Sequence, residues 1–308
     1  MLAIENNQLK VEINEVGAQL THVVDKTTNA DYIWNGSEWE RHAPILFPAI
    51  GKSNDNKYIL NGKIYEMKQH GFARDYPWTV VDKGDDRVSL TLTENEETLT
   101  VYPFHFSLMV TYTLEANQLK VEFLVKNNSE ETMSFGLGFH PGFNVPIAGD
   151  ELEFSDYEVS LSPEVTELTQ FQIDPIPFRN GKVIPVPKAE KSTLPLSYSE
   201  FDNGLIIINN PGLTGIVLSS AKSDHQISLT LEDFPYVALW TMTDPEAKFL
   251  CMEPFAGLPD VKSDELTDWM KKEGNNFLEP DESTHFSTTI TLKSVSYTHL
   301  RAHETLRH

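Results

Sequence analysis

Three short stretches of this chain carry side chains able to move protons. They are Gln69-His70-Gly71-Phe72-Ala73-Arg74, Phe139-His140-Pro141-Gly142-Phe143-Asn144 and Cys251-Met252-Glu253-Pro254. Imidazole and carboxylate are the groups most easily tuned toward neutral pH, so a hydrolase or isomerase working without a cofactor would use them. His70 and His140 lie 70 positions apart and Glu253 a further 113 along. Only tertiary folding can bring them together.

Glu253 follows the apolar run Lys248-Phe249-Leu250-Cys251-Met252 and precedes Pro254, which predicts that a strand stops there with the carboxylate at a sheet rim. No cation stands beside it in sequence, and a carboxylate among apolar groups holds its proton more tightly. A general base is the favoured role over a plain edge charge. A lone histidine such as His140 is by itself more often a packed or surface residue than a catalyst. His70 and Arg74 follow an expected hairpin at Asn61-Gly62, with Gly71 permitting a tight bend. In so acidic a chain Arg74 is equally suited to a structural ion pair. Asp202, in Phe201-Asp202-Asn203-Gly204, has the look of turn chemistry. Trp34, Trp39, Trp78 and Trp240 can stack on a ligand face or fill the core, and Trp240, in the strand before Glu253, is the best placed.

The elements that must position these groups are strands. Leu9-Lys10-Val11-Glu12-Ile13, Val88-Ser89-Leu90-Thr91-Leu92 and Leu119-Lys120-Val121-Glu122-Phe123 alternate apolar and polar residues, the pattern of strands with one wet face. Similar runs span 106–114, 133–138, 205–209, 214–219, 227–231, 237–241, 249–253 and 286–292, separated by turns such as Asn203-Gly204 and Pro211-Gly212. The best helical segment is 264–272, capped by Ser263 or Asp264. This pattern predicts a mainly β protein of antiparallel sheets packed as a sandwich or barrel. One domain is expected over residues 1–294, with 295–308 a non-native or disordered tail.

Of 308 residues, 40% are apolar, enough for a core. The net charge of −22 repels nucleic acid and anionic membranes, so neither is an expected partner. No opening apolar segment or long apolar run is present, and a soluble, cytoplasmic protein is expected. The single cysteine, Cys251, excludes an internal disulfide framework and a multi-cysteine zinc site, and reads as a small buried strand residue. No metal ligand set is assigned. Ile50-Gly51-Lys52-Ser53 lacks the first glycine of a P-loop, since Leu46 stands there.

Together with Pro44-Ile45-Leu46-Phe47-Pro48, the three stretches resemble the aldose 1-epimerase (galactose mutarotase) family, in its LacX-like and hexose-6-phosphate epimerase-like branch. The resemblance runs from the first strand to about residue 293. It implies the large galactose mutarotase-like β-sandwich and interconversion of the α and β anomers of an aldohexose, with no cofactor. In that reading Glu253 is the base and His140 the acid that protonates the ring oxygen. His70, Arg74 and Asp202 then hold the sugar, with Trp240, from its own place in the sequence, expected to stack on it. Where better-studied galactose mutarotases have a Ser-Tyr pair, this chain has Pro141-Gly142. Two alternatives remain: a non-catalytic carbohydrate-binding sandwich, and an epimerase for hexose 6-phosphates with Arg41, Lys52 and Arg74 as phosphate ligands. Oligomeric state is open.

Overall fold

A computed structural model describes residues 1–293 of the chain, so the stretch read as a tail, 295–308, lies outside the described residues. Strand after strand shows the expected period of two. In Gln118–Asn127, Leu119, Val121, Phe123 and Val125 are buried while the residues between them are half-exposed. This strand sits inside a nine-stranded sheet, between Phe106–Glu115 and Ser283–Lys293. A second, eight-stranded sheet runs in the order Arg179–Pro185, Thr169–Ile173, Ile206–Ile208, Tyr236–Trp240, Phe249–Ala256, Leu137–Phe139 and Ile45–Leu46. Gly142–Asn144 also pairs with Phe249–Ala256. All pairings within these two sheets are antiparallel.

One apolar cluster joins the two sheets. It holds Val121 and Phe123 from the first, and Ile206, Ile208, Leu239 and Met252 from the second. The opposite face of the second sheet is defined by register. Glu253 lies across from Ala238, Ala238 from Ile207, and Ile207 from Phe171, while Cys251 lies across from Trp240. Residues directly opposite share a face. Two smaller apolar clusters cover it: Phe171, Ile207, Ala238 and Phe255 belong to one, Phe249, Cys251 and Trp34 to the other. Glu253 stands between them.

Two expectations change. The strand carrying Glu253 does not stop at Pro254 but runs through Phe249–Ala256, so the carboxylate is buried mid-strand rather than at a rim. Its neighbour is interrupted instead: Gly138 pairs with Phe255 and Gly142 with Cys251, leaving His140-Pro141 opposite the centre of the strand. A residue without an N–H is tolerated beside such a break. The segment 264–272 forms no α-helix. Thr267–Asp268 pairs in parallel with Tyr58 and Ile59, and Trp269–Lys271 makes a single 3₁₀ turn capped by the Asp268 carboxylate. Tertiary contacts override its helical pattern, because Trp269 is fully buried and Lys272 is tied to Asp260. The one α-helix among the described residues is Glu96–Val101, with a reciprocal cap between Asn95 and Thr98.

The loop after Ala256 folds over the outer face and is pinned by a buried ion pair, Lys272 with Asp260. Asp260 also accepts from the Asn54 N–H at 3.0 Å and the Thr267 hydroxyl at 2.7 Å. Burial pushes the Lys272 ammonium below its ordinary pKa, so the carboxylate is what keeps it charged. Removing one partner of such a pair strands the other. Lys272→Met should destabilise the protein by about 3–5 kcal/mol, and Asp260→Asn added to it should recover part of the loss. Urea unfolding midpoints of the two variants test this.

Candidate active site

His140 follows the short strand Leu137–Phe139, and its N–H donates to the Pro44 carbonyl at 3.0 Å. Pro141 ends that strand and lends its carbonyl to the Met252 N–H at 3.3 Å. Across this break position 140 still falls opposite position 253, and His140 Nε2 lies 3.2 Å from Glu253 Oε2. Glu253 is 1% exposed and His140 8%. Neither carboxyl oxygen, nor His140 Nδ1, has a hydrogen-bond partner among the described residues. Burial pushes the Glu253 carboxyl well above its ordinary pKa and lowers His140 to about 3. Both directions favour the uncharged forms, GluH beside neutral imidazole. The pair therefore holds one proton at neutral pH, and the charged alternative, carboxylate beside imidazolium, contains the same number.

His70 is positioned by its own backbone. The hairpin Lys57–Leu60 to Lys63–Glu66 turns at Asn61 and Gly62, both with positive φ, as that dipeptide predicts. The chain then reaches His70 and Gly71 in succession at φ 66° and 70°. A Cβ on Gly71 would lie 2.2 Å from the Phe47 carbonyl oxygen, so only glycine fits there. For histidine a positive φ is uncommon, and a reciprocal pair of bonds holds it. The His70 N–H donates to the Gly51 carbonyl at 2.8 Å, and the Gly51 N–H donates to His70 Nδ1 at 3.1 Å. An Nδ1 that accepts cannot carry the proton, so the neutral ring bears it on Nε2. Burial first, then the nearby His140 and Arg74, hold the His70 pKa well below its ordinary value. This ring is a neutral donor.

Trp39, Gln69, His70, Arg74, Trp240 and the His140–Glu253 pair line one cavity of about 380 Å³, together with Ile176, Pro177, Gly204 and Leu205. The size is that of a small-molecule site. Trp39 lies over His140 with ring centroids 5.1 Å apart, and Trp240 stands edge-on to both. Gly142 admits Trp39, since a Cβ there would meet the indole at 2.8 Å. Among the described residues, Arg74 is the one cation of the lining. Its Nη2 donates to the Gln69 carbonyl at 2.9 Å, and its buried Nε has no partner among the described residues. A larger cavity of about 550 Å³ adjoins across Ile176 and Leu205; it is lined by Gln170, Gln172 and Asn203 with Asp174 and Glu200, and holds no acid/base pair comparable to His140–Glu253.

Of the residues singled out from the sequence, the fold thus gathers His70, Arg74, His140, Trp240 and Glu253. Asp202 is not gathered. It is exposed at the end of the 3₁₀ turn Tyr198–Phe201, and its stretch reaches the cavity through Gly204 and Leu205. Arg41 and Lys52 also lie outside the lining: Arg41 pairs with Asp75 at 2.8 Å, and Lys52 sits 6.0 Å over the Phe178 ring. Trp34 and Trp78 are core residues. Trp39 and Gln69 gained no individual role from sequence, although Trp39 stood among the stacking candidates.

The aldose 1-epimerase family profile matches residues 1–291. The chain belongs to the aldose 1-epimerase family. It is 30% identical to the plasmid-encoded protein LacX of Lactococcus lactis subsp. lactis over 83% of this chain and 88% of that protein, which places it in the LacX-like branch. Among solved structures, it superposes on a galactose mutarotase-like protein from Lactobacillus casei ATCC 334 with a TM-score of 0.91 at 44% identity, covering 95% of this chain and 99% of the other. A galactose mutarotase related enzyme from Lactobacillus acidophilus gives 0.88 at 32% identity, covering 95% and 97%. The mainly antiparallel sandwich is the fold of these proteins.

A buried carboxyl with a raised pKa has a thermodynamic consequence. Above pH 4.5 the unfolded chain ionises Glu253 while the folded chain keeps the proton, so the folded state binds more protons and stability falls as pH rises through this window. Glu253→Gln removes that dependence. The variant should be more stable than the parent at pH 8, by a margin that grows steadily from pH 5. Denaturant unfolding across this range checks it; a margin that shrinks with pH would show that Glu253 is ionised in the fold.

Proposed function

We propose that this protein is an aldose 1-epimerase that interconverts the α and β anomers of a free aldohexose. The observation that carries the reading is the His140–Glu253 pair, 3.2 Å apart at the buried end of a cavity walled by two tryptophans. Mutarotation needs one group to take the proton of the C1 hydroxyl and another to give a proton to the ring oxygen. In the charged arrangement Glu253 is the base and His140 the acid. Glu253 accepts the hydroxyl proton as the C1–O1 bond becomes a carbonyl, the C1–ring oxygen bond breaks, and His140 delivers its proton to that oxygen. The open-chain aldehyde then faces GluH and neutral imidazole, the state that burial favours. Rotation about C1–C2 and closure on the other face reverse both transfers. The proton count never changes, as a nearly thermoneutral interconversion requires.

The other lining groups suit a polyol. His70 offers its Nε2–H and Arg74 its free guanidinium N–H groups to sugar hydroxyls, while Trp39 and Trp240 present flat apolar faces to ring C–H groups. A non-catalytic sugar-binding sandwich would need the tryptophans but not a partnerless buried carboxyl beside an imidazole. For a hexose 6-phosphate, two or more cations must converge, and among the described residues Arg74 stands alone in the lining. This favours the free sugar.

Polarimetry on freshly dissolved α-D-glucose or α-D-galactose tests the activity. Glu253→Gln should lower kcat by about 10²–10⁴-fold with the fold intact, because the amide keeps the shape and cannot take the proton; a near-parental rate would remove Glu253 from the base role. Free hexose should have a higher kcat/KM than its 6-phosphate, and Arg74→Ala should raise KM for both alike, since a hydroxyl contact is lost in each. A preference for the phosphorylated sugar that vanished in Arg74→Ala would overturn the free-hexose assignment.

A further inference from the structure

Cys251 is fully buried two positions before Glu253, on the same face of the Phe249–Ala256 strand, and His140 reaches in from the neighbouring break. One donor atom from each, sulfur, nitrogen and oxygen, lies within 4.8 Å of the other two. Such close approach of a thiol, an imidazole and a carboxyl would be unremarkable if each had a hydrogen-bond partner. They do not: both Glu253 oxygens and His140 Nδ1 lack one among the described residues, in residues more than nine-tenths buried. The proton pair explains His140 and Glu253. It leaves the sulfur beside them without a role.

We propose that His140, Cys251 and Glu253 form a binding site for a thiophilic divalent cation, zinc above all, which occupies the acid/base pair and competes with the sugar. Sulfur selects against magnesium and calcium, which take oxygen ligands, and a thiolate, imidazole and carboxylate set suits zinc. At zinc–ligand distances of about 2.0–2.3 Å, tetrahedral ligands lie roughly 3.3–3.8 Å apart, so the three side chains need close by only about 1 Å. Three protein ligands leave a fourth position on the cavity side. Binding must remove two protons, one from the Cys251 thiol and the one shared by His140 and Glu253. The cation's two charges are then balanced by thiolate and carboxylate, and the released protons make binding tighten as pH rises.

Cobalt(II) serves as the probe, because a cobalt–thiolate bond gives a near-ultraviolet charge-transfer band that reports the sulfur directly. The C-terminal stretch supplies His299, His303 and His308, so the full chain is used with these three changed to alanine. The expected result is a saturable band that zinc displaces, with release of about two protons per metal in weakly buffered solution. Cys251→Ser should abolish the band and weaken zinc binding by more than the ~10–100-fold that follows loss of a ligand's hydrogen-bond partner. Absence of the band in the parent, or its survival in Cys251→Ser, would overturn the site. Inhibition is a separate arm that rests on the proposed epimerase activity. Zinc should slow mutarotation in the parent and not in Cys251→Ser, which keeps its activity because Cys251 takes no part in the proton transfers; equal inhibition of both would overturn the competition. A parent inactive on hexoses would defeat the functional reading and leave the cobalt result to decide the site.

Discussion

A carboxyl group taken out of water without a hydrogen-bond partner is costly to ionise, and the remainder of this site is arranged around one such group, Glu253. Its strand is apolar at every neighbouring position, and the residues two before and two after it belong to separate apolar clusters. What relieves the carboxyl is not a cation or an amide but another titratable ring, His140, that is itself desolvated. Each group alone would be neutral at pH 7 and inert as its charged form. Side by side they hold one proton between them, and the charge-separated arrangement is held together by Coulomb attraction over about 3 Å in a low-dielectric setting. A hexose that offers one hydroxyl proton and one ring oxygen completes the circuit.

The scaffold creates this proximity by register. Leu137–Phe139 and Gly142–Asn144 both pair with Phe249–Ala256, and the gap between them holds His140-Pro141. With Gly138 opposite Phe255 and Gly142 opposite Cys251, position 140 falls opposite 253, and opposite residues share a face. The His70 turn is built on the same economy of backbone. Gly51 receives one hydrogen bond from His70 and returns another to its ring, fixing both a left-handed backbone and a tautomer. Asp260 and Lys272 hold the loop whose Leu258 packs on the outer face beside Phe255.

The sheets were readable in the alternation of runs such as Leu119 to Phe123, because period two is local and repeated. His140 and Glu253 were readable as candidates because each sits in a short string of unusual composition. Their distance was not, since it depends on which strands pair and in what register, and on Pro254 lying inside a strand rather than ending it. Helix Glu96–Val101 escaped notice because six residues give no apolar period, although Asn95 and Thr98 form its cap. The 264–272 segment misled in the opposite direction: its local pattern suits a helix, yet Trp269 and Lys272 are claimed by the core and by Asp260. Asp202 shows the same for a turn, since a residue two positions from the cavity-lining Gly204 has no local signal that says which way it points. Arg41 was suited by charge alone to a phosphate, and Asp75 takes it instead.

The central claim is that His140 and Glu253 share one proton, held on the carboxyl in the free protein. Infrared spectroscopy with [δ-¹³C]-labelled glutamate measures it most directly. At neutral pH the free protein should show a protonated carboxyl C=O stretch, shifted by the label and missing in Glu253→Gln. A spectrum containing only ionised carboxylates at neutral pH would contradict the account.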